Sequence, residues 1–174
     1  MTVTQVDPVA ATFRDVMASV CTPISVVTAL SGDMPYGSTV SAFASLSMAP
    51  PMVLVSLDRH SSLLPVLRQS GRFGLNVLAS DQSPLALRFA RKGGSAKFAG
   101  ARWDIDGGVP RLPNVGGFLA CEVVQLVEGG DHLVVMGLVR FADHVALPPL
   151  TYHSRSFGTH TVLVEDTYDH DDWY

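Results

Sequence analysis

Apolar positions in this chain recur first at helical spacing and then, over most of its length, at strand spacing. Val9, Phe13, Val16, Met17 and Val20 share one face of a 3.6-residue period, and Asp7-Pro8 supplies an N-cap followed by proline, so residues 8–20 are predicted to form an amphipathic helix. Pro23 ends that pattern, and the β-branched run from Ile24 to Ala29 reads as a strand. Gly37 to Ser47 mixes Ser and Thr with Val and Phe and is expected to be a strand leading into a loop. Met52 to Leu57 is a buried-strand run, entered through Pro50-Pro51. Ser61 or Ser62 then caps a short helix carrying Leu63, Leu64, Val66 and Leu67, which Gly71 stops.

Phe73 to Leu78 gives a further strand, and Ser83-Pro84 starts a helix running to about Ala90. Arg91 to Gly117 is rich in Gly and Pro and reads as a long loop. Leu119 to Val127 and His132 to Phe141 follow as two strands joined by the Glu128-Gly129-Gly130-Asp131 turn, and Leu150 to Tyr152 adds one more. Strands that mostly do not alternate with helices argue for a closed antiparallel barrel with helical additions. A doubly wound sheet needs regular alternation, which the last third of the chain lacks.

Composition narrows the class. A chain of 174 residues fits one domain and buries enough surface to fold without a disulfide or metal staple. The expected division is a domain over residues 1–164 and an acidic, aromatic tail over residues 165–174. In that tail Glu165, Asp166, Asp169, Asp171 and Asp172 are interleaved with Tyr168, Trp173 and Tyr174. A solvated, frayed end is the preferred reading of it, and an arm over a site or a neighbouring subunit is the alternative. Apolar residues at 47% against 16% charged are rich for a monomer, so part of this surface is expected to pack on a second copy. A net charge of -4 without a Lys/Arg cluster argues against nucleic acid. Cys21 and Cys121 make neither a disulfide framework nor a zinc site, and the histidines from His153 onward match no metal-ligand spacing. No stretch is long enough to span a membrane, and Asp7-Pro8 stands where a signal peptide needs apolar residues, so the cytoplasm is the expected compartment.

Three segments could carry chemistry. Ser38-Thr39-Val40-Ser41-Ala42, continuing to Ser47, is denser in hydroxyls than a core strand tolerates, because each buried hydroxyl needs a partner. It suits a wall for a flat, heteroatom-rich ring, although taken alone an ordinary half-exposed strand with alternating Ser is the favoured reading. Asp58-Arg59-His60-Ser61-Ser62 opens a helix, where free N–H groups favour phosphate and Arg59 could add a bidentate contact. Lys97-Phe98, after a Gly-Gly-Ser loop, offers a second cation. Finally, Gly129-Gly130-Asp131-His132 fixes His132 at the first residue of a strand, in a turn that needs only the Gly-Asp. The chain has no Gly-x-Gly-x-x-Gly fingerprint, P-loop or Gly-x-Ser-x-Gly elbow, so a nicotinamide cofactor would bind without a Rossmann unit.

Taken in order, these segments resemble the flavin reductase-like family, the small reductase components of two-component flavin-dependent monooxygenases. The resemblance runs from about Phe13 to Gly158. Its marks are Phe13-Arg14-Asp15-Val16-Met17, Thr39-Val40-Ser41-Ala42-Phe43, Ser47-Met48-Ala49-Pro50-Pro51, Phe73-Gly74-Leu75-Asn76-Val77-Leu78, Arg88-Phe89-Ala90, Lys97-Phe98-Ala99-Gly100 and Gly130-Asp131-His132. Two positions depart from the family pattern: Ala42 stands where many relatives have Ser, and Phe157-Gly158 where many have Tyr-Gly.

The resemblance implies a split β-barrel of the FMN-binding type, an antiparallel Greek-key barrel, and a homodimer. It implies FMN or FAD reduced by NADH or NADPH and released, as diffusible reduced flavin, to a partner monooxygenase. By position, the resemblance places Thr39 to Ala42 along the isoalloxazine ring, Ser47, Ser61, Ser62 and Lys97-Phe98 near the ribityl chain and phosphate, and Gly130-Asp131-His132 on the nicotinamide side. Ser38, Asp58 and Arg59 join them as cofactor-binding candidates from the segments read above. No residue is assigned as catalytic and none as a metal ligand, because hydride passes between the two cofactors. The absence of an Arg cluster for a 2′-phosphate leans to NADH. Two other classes compete: an oxidase that keeps its FMN, and a flavin-binding protein with no nicotinamide site, against which the Gly130-Asp131-His132 segment weighs.

Overall fold

The computed structural model describes residues 7–162; the tail proposed from the sequence, residues 165–174, lies outside them. The chain opens on helix α1 (Pro8–Ala18), whose cap is Asp7, its Oδ1 accepting from the Val9 N–H at 2.9 Å. The strands that follow are β1 (Thr22–Pro23), β2 (Ser25–Ser31), β3 (Met34–Val40), β4 (Phe43–Met48) and β5 (Pro51–Asp58). Helix α2 (Leu63–Ser70), strand β6 (Arg72–Val77) and helix α3 (Ser83–Ala90) come next, then a 3-10 turn over Gly94–Phe98. The chain continues through β7 (Asp104–Asp106), β8 (Val109–Arg111), β9 (Gly117–Gly129), β10 (His132–His144), β11 (Leu150–His153) and β12 (Ser156–Thr159).

Seven strands form one antiparallel sheet in the order β3-β2-β6-β9-β10-β5-β4. Its edge strands β3 and β4 are consecutive in the chain and are joined by Ser41 and Ala42 alone. A flat seven-stranded sheet would hold its edges roughly 29 Å apart at about 4.8 Å per strand. Three peptide steps, from Val40 to Phe43, reach at most about 11 Å. The sheet must therefore curl until its edges meet, and this corner makes it a barrel. The Ala42 carbonyl anchors the corner by accepting from the Ser56 N–H at 2.8 Å. No ladder joins β3 to β4 among the described residues, so the barrel is split along this seam.

Side-chain alternation sorts two cores. Val27 and Ala29 of β2, Phe73 and Leu75 of β6, Cys121 of β9 and Val135 of β10 point inward, where Leu63, Leu64, Val66 and Leu67 of α2 join them. Val26 of β2 and Phe118 and Ala120 of β9 point outward and are covered by Phe89 of α3, Phe98, Val109 and Leu112. A strand buried on both faces loses its polar alternation, and β2 indeed reads as buried at five successive positions. The outward polar groups Thr28 and Asn76 are satisfied by the covering segment. Asn76 Oδ1 accepts from the Leu112 N–H at 2.8 Å, and Thr28 Oγ1 donates to the Pro110 carbonyl.

Most elements match the sequence expectation, and the differences have physical causes. The segment from 37 to 47 is two strands on opposite edges of the sheet rather than one strand and a loop, and β3 starts earlier, at Met34. The run from 91 to 117 is not a bare loop: it holds the 3-10 turn and the β7–β8 hairpin and buries Phe98, Val109, Leu112 and Val115. Three-residue strands are too short to show a period in the sequence. Ser83 does not cap α3; the cap position is Gln82, whose Oε1 accepts from the Ala79 N–H at 3.0 Å. The last described strand, β12, pairs with β11 and was not visible in the pattern.

Arg111 of β8 donates to Asp106 of β7 at 2.8 Å and to Asp143 of β10, and it lies 5.0 Å over the Phe118 ring. The Arg111 hydrogen bond holds the Asp143 carboxyl below its ordinary value. A carboxyl depressed in this way stabilises the fold above its unfolded-state pKa and loses that contribution as pH falls through the folded value. The melting temperature is therefore expected to hold from neutrality to about pH 4 and to decline below it, more steeply than in an Arg111→Met variant. A second expectation concerns packing. A Cβ at Gly137 of β10 would run into Cζ of the fully buried Phe73, so Gly137→Ala should cost about 1–3 kcal/mol in a denaturant titration.

Candidate active site

The seam of the barrel is also where most of the candidate residues converge. Ser38, Thr39 and Val40 at the end of β3, with Ser41 and Ala42 in the corner, form one wall of a cleft of about 210 Å³. Ser56, Leu57 and Asp58 at the end of β5, Ser61 and His132 form the other. Ser38, Asp58 and Ser61 also belong to an adjoining cleft of about 560 Å³, completed by His60, Ser62, Ala90 to Gly94 and Lys97. The shared residues make the two a continuous groove, with His132 at one end and a basic loop at the other.

The β3 wall owes its chemistry to backbone as much as to side chains. As an edge strand, β3 pairs on one side with β2 and among the described residues has no ladder on the other, so main-chain N–H and C=O groups face away from the sheet. Thr39 Oγ1 is engaged with the Ala86 carbonyl of α3 at 2.7 Å, which fixes the strand against that helix. Ser38, Ser41 and Ser62 make no side-chain hydrogen bond with the described residues, whereas Ser61 Oγ accepts from the Leu63 N–H at 3.3 Å. Asp58 Oδ1 accepts from the His60 N–H at 2.6 Å and turns the chain into α2.

Among the described residues the wider end is electropositive. Arg91, Lys92 and Lys97 line it, with His60, against the carboxylate of Asp58. Gly93 and Gly94 follow the two cations with φ of 148° and 53°, so the loop folds back on the groove. A Cβ at Gly94 would come within 3.9 Å of Ser62 Oγ and 3.3 Å of the Tyr36 ring. Hydroxyls, cations and a glycine-lined approach form a donor set suited to a phosphate, and the edge of β3 suits a planar ring. The groove thus fits a flavin nucleotide in both of its chemical halves.

Not every sequence candidate reaches this groove. Ser47 lies on β4, beyond the corner and outside both clefts. Phe98 is a core residue, packed edge-to-face on Phe89 at 4.8 Å and against Trp103. Lys97 borders the groove, but its Nζ donates to the Gly37 carbonyl at 3.0 Å and the Phe89 carbonyl at 2.9 Å, tying β3 to α3; burial lowers its pKa. Arg59 turns its guanidinium away, onto Glu128 and Gly130. His132 does reach the cleft, and its Nδ1 lies 2.7 Å from Asp131 Oδ1, a bond that holds the Asp131 carboxyl below its ordinary value. Arg91 and Lys92 line the groove without having been candidates, and His60, Gly93 and Gly94 line it although only the segments holding them were noted; two cations ahead of a glycine pair were the available signal.

A larger hollow of about 730 Å³ lies between Ala79–Asp81, Asn114 and Val145–Pro148. Its cation, Arg111, is already occupied by Asp106 and Asp143. It gathers no comparable set of free donors, and the seam groove is the better candidate.

A sequence profile described as the flavin reductase like domain matches residues 17–161. The chain belongs to this family. Among its relatives, the FMN reductase (NADH) SmoA of Agrobacterium fabrum is 36% identical over 147 residues, covering 84% of this chain and 83% of that protein. The reductase subunit HsaB of a flavin-dependent monooxygenase from Mycobacterium tuberculosis is 37% identical, covering 81% of this chain and 74% of its own. The NADH:FAD oxidoreductase SgcE6 of Streptomyces globisporus, solved with NAD and FAD fragments, superposes with a TM-score of 0.84 at 27% identity, over 94% of this chain and 100% of that one. The flavin reductase fold is accordingly the split barrel expected from the sequence resemblance. No helix among the described residues is long and apolar enough to cross a membrane.

The Lys97 strut gives a test of how the β3 wall is held. Lys97→Met keeps the apolar stem and removes the donors, leaving the Gly37 and Phe89 carbonyls without this partner. It is expected to cost about 1–2 kcal/mol in thermal denaturation.

Proposed function

We propose that this chain is a flavin reductase that uses NADH to reduce FMN or FAD and supplies the reduced flavin to a partner monooxygenase. One observation carries the reading: in a chain of the flavin reductase-like family, the seam groove joins a backbone-edged wall at Ser38–Ala42, a basic, hydroxyl-rich end, and a strand-mounted His132. The cofactors supply the redox chemistry, a hydride from nicotinamide to flavin. The protein's residues bind and align.

Main-chain N–H groups along β3 and the Ser41-Ala42 corner would hold the ring edge and favour a negatively charged, reduced ring. Ser61, Ser62, Arg91 and Lys92 would hold the phosphate. His132, oriented by Asp131, would hold the nicotinamide; no side chain is required as a general acid or base. The names of SmoA and SgcE6 support NADH as the donor, and that of HsaB supports a monooxygenase as the recipient. An open groove lets reduced flavin leave by diffusion.

Two further features belong to this reading. The protein works as a homodimer: no residue of α1 is buried, and Val9 and Phe13 are 74% and 60% exposed, which leaves an 11-residue helix without the packing it needs. It resides in the cytoplasm, consistent with Cys21 and Cys121 both being free thiols.

NADH consumption in air, with and without added FMN or FAD, tests the function on protein stripped of flavin. Rapid flavin-dependent oxidation is expected. No oxidation with NADH or NADPH despite tight flavin binding would overturn the reading and favour an oxidase or a carrier. His132→Ala should raise the KM for NADH and leave flavin binding intact; unchanged kinetics would remove His132 from the site.

A further inference from the structure

Arg59, a candidate phosphate ligand that the structure turns away from the groove, grips the turn that precedes His132. Arg59 Nε donates to the Gly130 carbonyl at 2.7 Å, and Nη2 and Nη1 donate to the two Glu128 carboxylate oxygens at 2.7 and 3.3 Å. Its backbone N–H donates to the Asp131 carbonyl at 3.0 Å. Arg59 therefore binds Glu128, Gly130 and Asp131, three residues that lead directly into His132.

The place of these bonds matters. The β5–β10 ladder ends at the Asp58–His132 pair, and Arg59, one residue on, continues the attachment past the end of the sheet. A two-residue turn at the tip of two 13-residue strands has little else to orient it. Gly130, with φ of 67°, gives the turn freedom as well as shape. The turn's orientation then passes to the imidazole, because Asp131 Oδ1 lies 2.7 Å from His132 Nδ1.

Charge alone does not explain the arrangement. The Arg59 and Glu128 side chains are 34% and 77% exposed, and ion pairs so exposed contribute roughly 0–1 kcal/mol. What arginine adds is a rigid planar fork that meets a carboxylate and a carbonyl on neighbouring residues at once, which an ammonium cannot do.

We propose that Arg59 is a positioning residue for the nicotinamide side of the groove. It clamps the Glu128–Asp131 turn onto the corner between β5 and α2, and so fixes Asp131 and, through it, the imidazole of His132. This rests on the reading of His132 as the residue that holds the nicotinamide.

Steady-state kinetics on Arg59→Ala, His132→Ala and the double variant test the clamp, with flavin affinity followed by fluorescence titration. Arg59→Ala should raise the KM for NADH about tenfold, with kcat and flavin affinity within about twofold of the parent. Combined with His132→Ala it should add nothing, since both changes remove one interaction. Additive effects, an unchanged KM for NADH, or an equal loss of flavin affinity would overturn the proposal. Glu128→Lys, an exposed change that sets a like charge against Arg59 without touching the core, provides the same readout should Arg59→Ala fold poorly. It should raise the KM for NADH in the same direction, and an unchanged KM there would also overturn the clamp. If His132→Ala itself leaves the KM for NADH unchanged, the assignment of His132 fails instead, a result separable from failure of the clamp.

Discussion

Two residues, Ser41 and Ala42, impose the constraint on which the rest of the molecule depends. They connect strands at opposite edges of a seven-stranded sheet, and so short a link is compatible only with a curled sheet. From that closure follow the inner core, with α2 packed into it, and an outer face that needs a cover of its own. Closure without a β3–β4 ladder leaves strand-edge backbone next to the ends of β5 and β10. The groove is thus a product of how the barrel fails to seal, and its polar groups belong to the scaffold.

Division of labour within the groove follows from the same geometry. Side chains that looked like ligands in the sequence serve partly as struts: Lys97 ties β3 to α3 and Arg59 ties the β9–β10 turn to the β5 corner. The groups that remain for a ligand among the described residues are the hydroxyls of Ser38, Ser41 and Ser62, the cations of Arg91 and Lys92, and main-chain donors. Such a set would anchor and align a nucleotide without entering its chemistry, as the proposed hydride transfer between two cofactors requires.

How much of this was legible in the sequence varies with the kind of signal. The strands of the barrel were, because Val26 and Val27 or Phe118 and Leu119 alternate between two apolar surroundings and read as unbroken runs. Helix α2 was, because Leu63, Leu64, Val66 and Leu67 precede a glycine that adopts a left-handed φ of 66°. The corner at Ser41-Ala42 was not, since no Gly or Pro marks it and both flanks are strand-like. The segment from 91 to 117 was misjudged because its strands are shorter than any period. For the site, residue types pointed to segments that meet at one groove, yet the direction of a guanidinium or an ammonium depends on carbonyls some sixty to seventy positions away, such as Gly37 for Lys97 and Gly130 for Arg59. Phe98 looked like part of a ligand motif and is core, because an aromatic beside a cation carries no sign of which way it faces.

In the proposed homodimer, the exposed apolar stripe of α1 ties the first turns of the chain to how much protein is in solution. A helix this short, with no buried side chain of its own, depends on whatever covers it, and cover by a second copy obeys mass action. Local order in α1 would then become a function of concentration while the barrel stays folded. Dilution would loosen α1 and the contacts it makes with the β11–β12 hairpin, the Ser154 N–H to the Ala18 carbonyl and Arg155 to Asp15, well before the sheet opens.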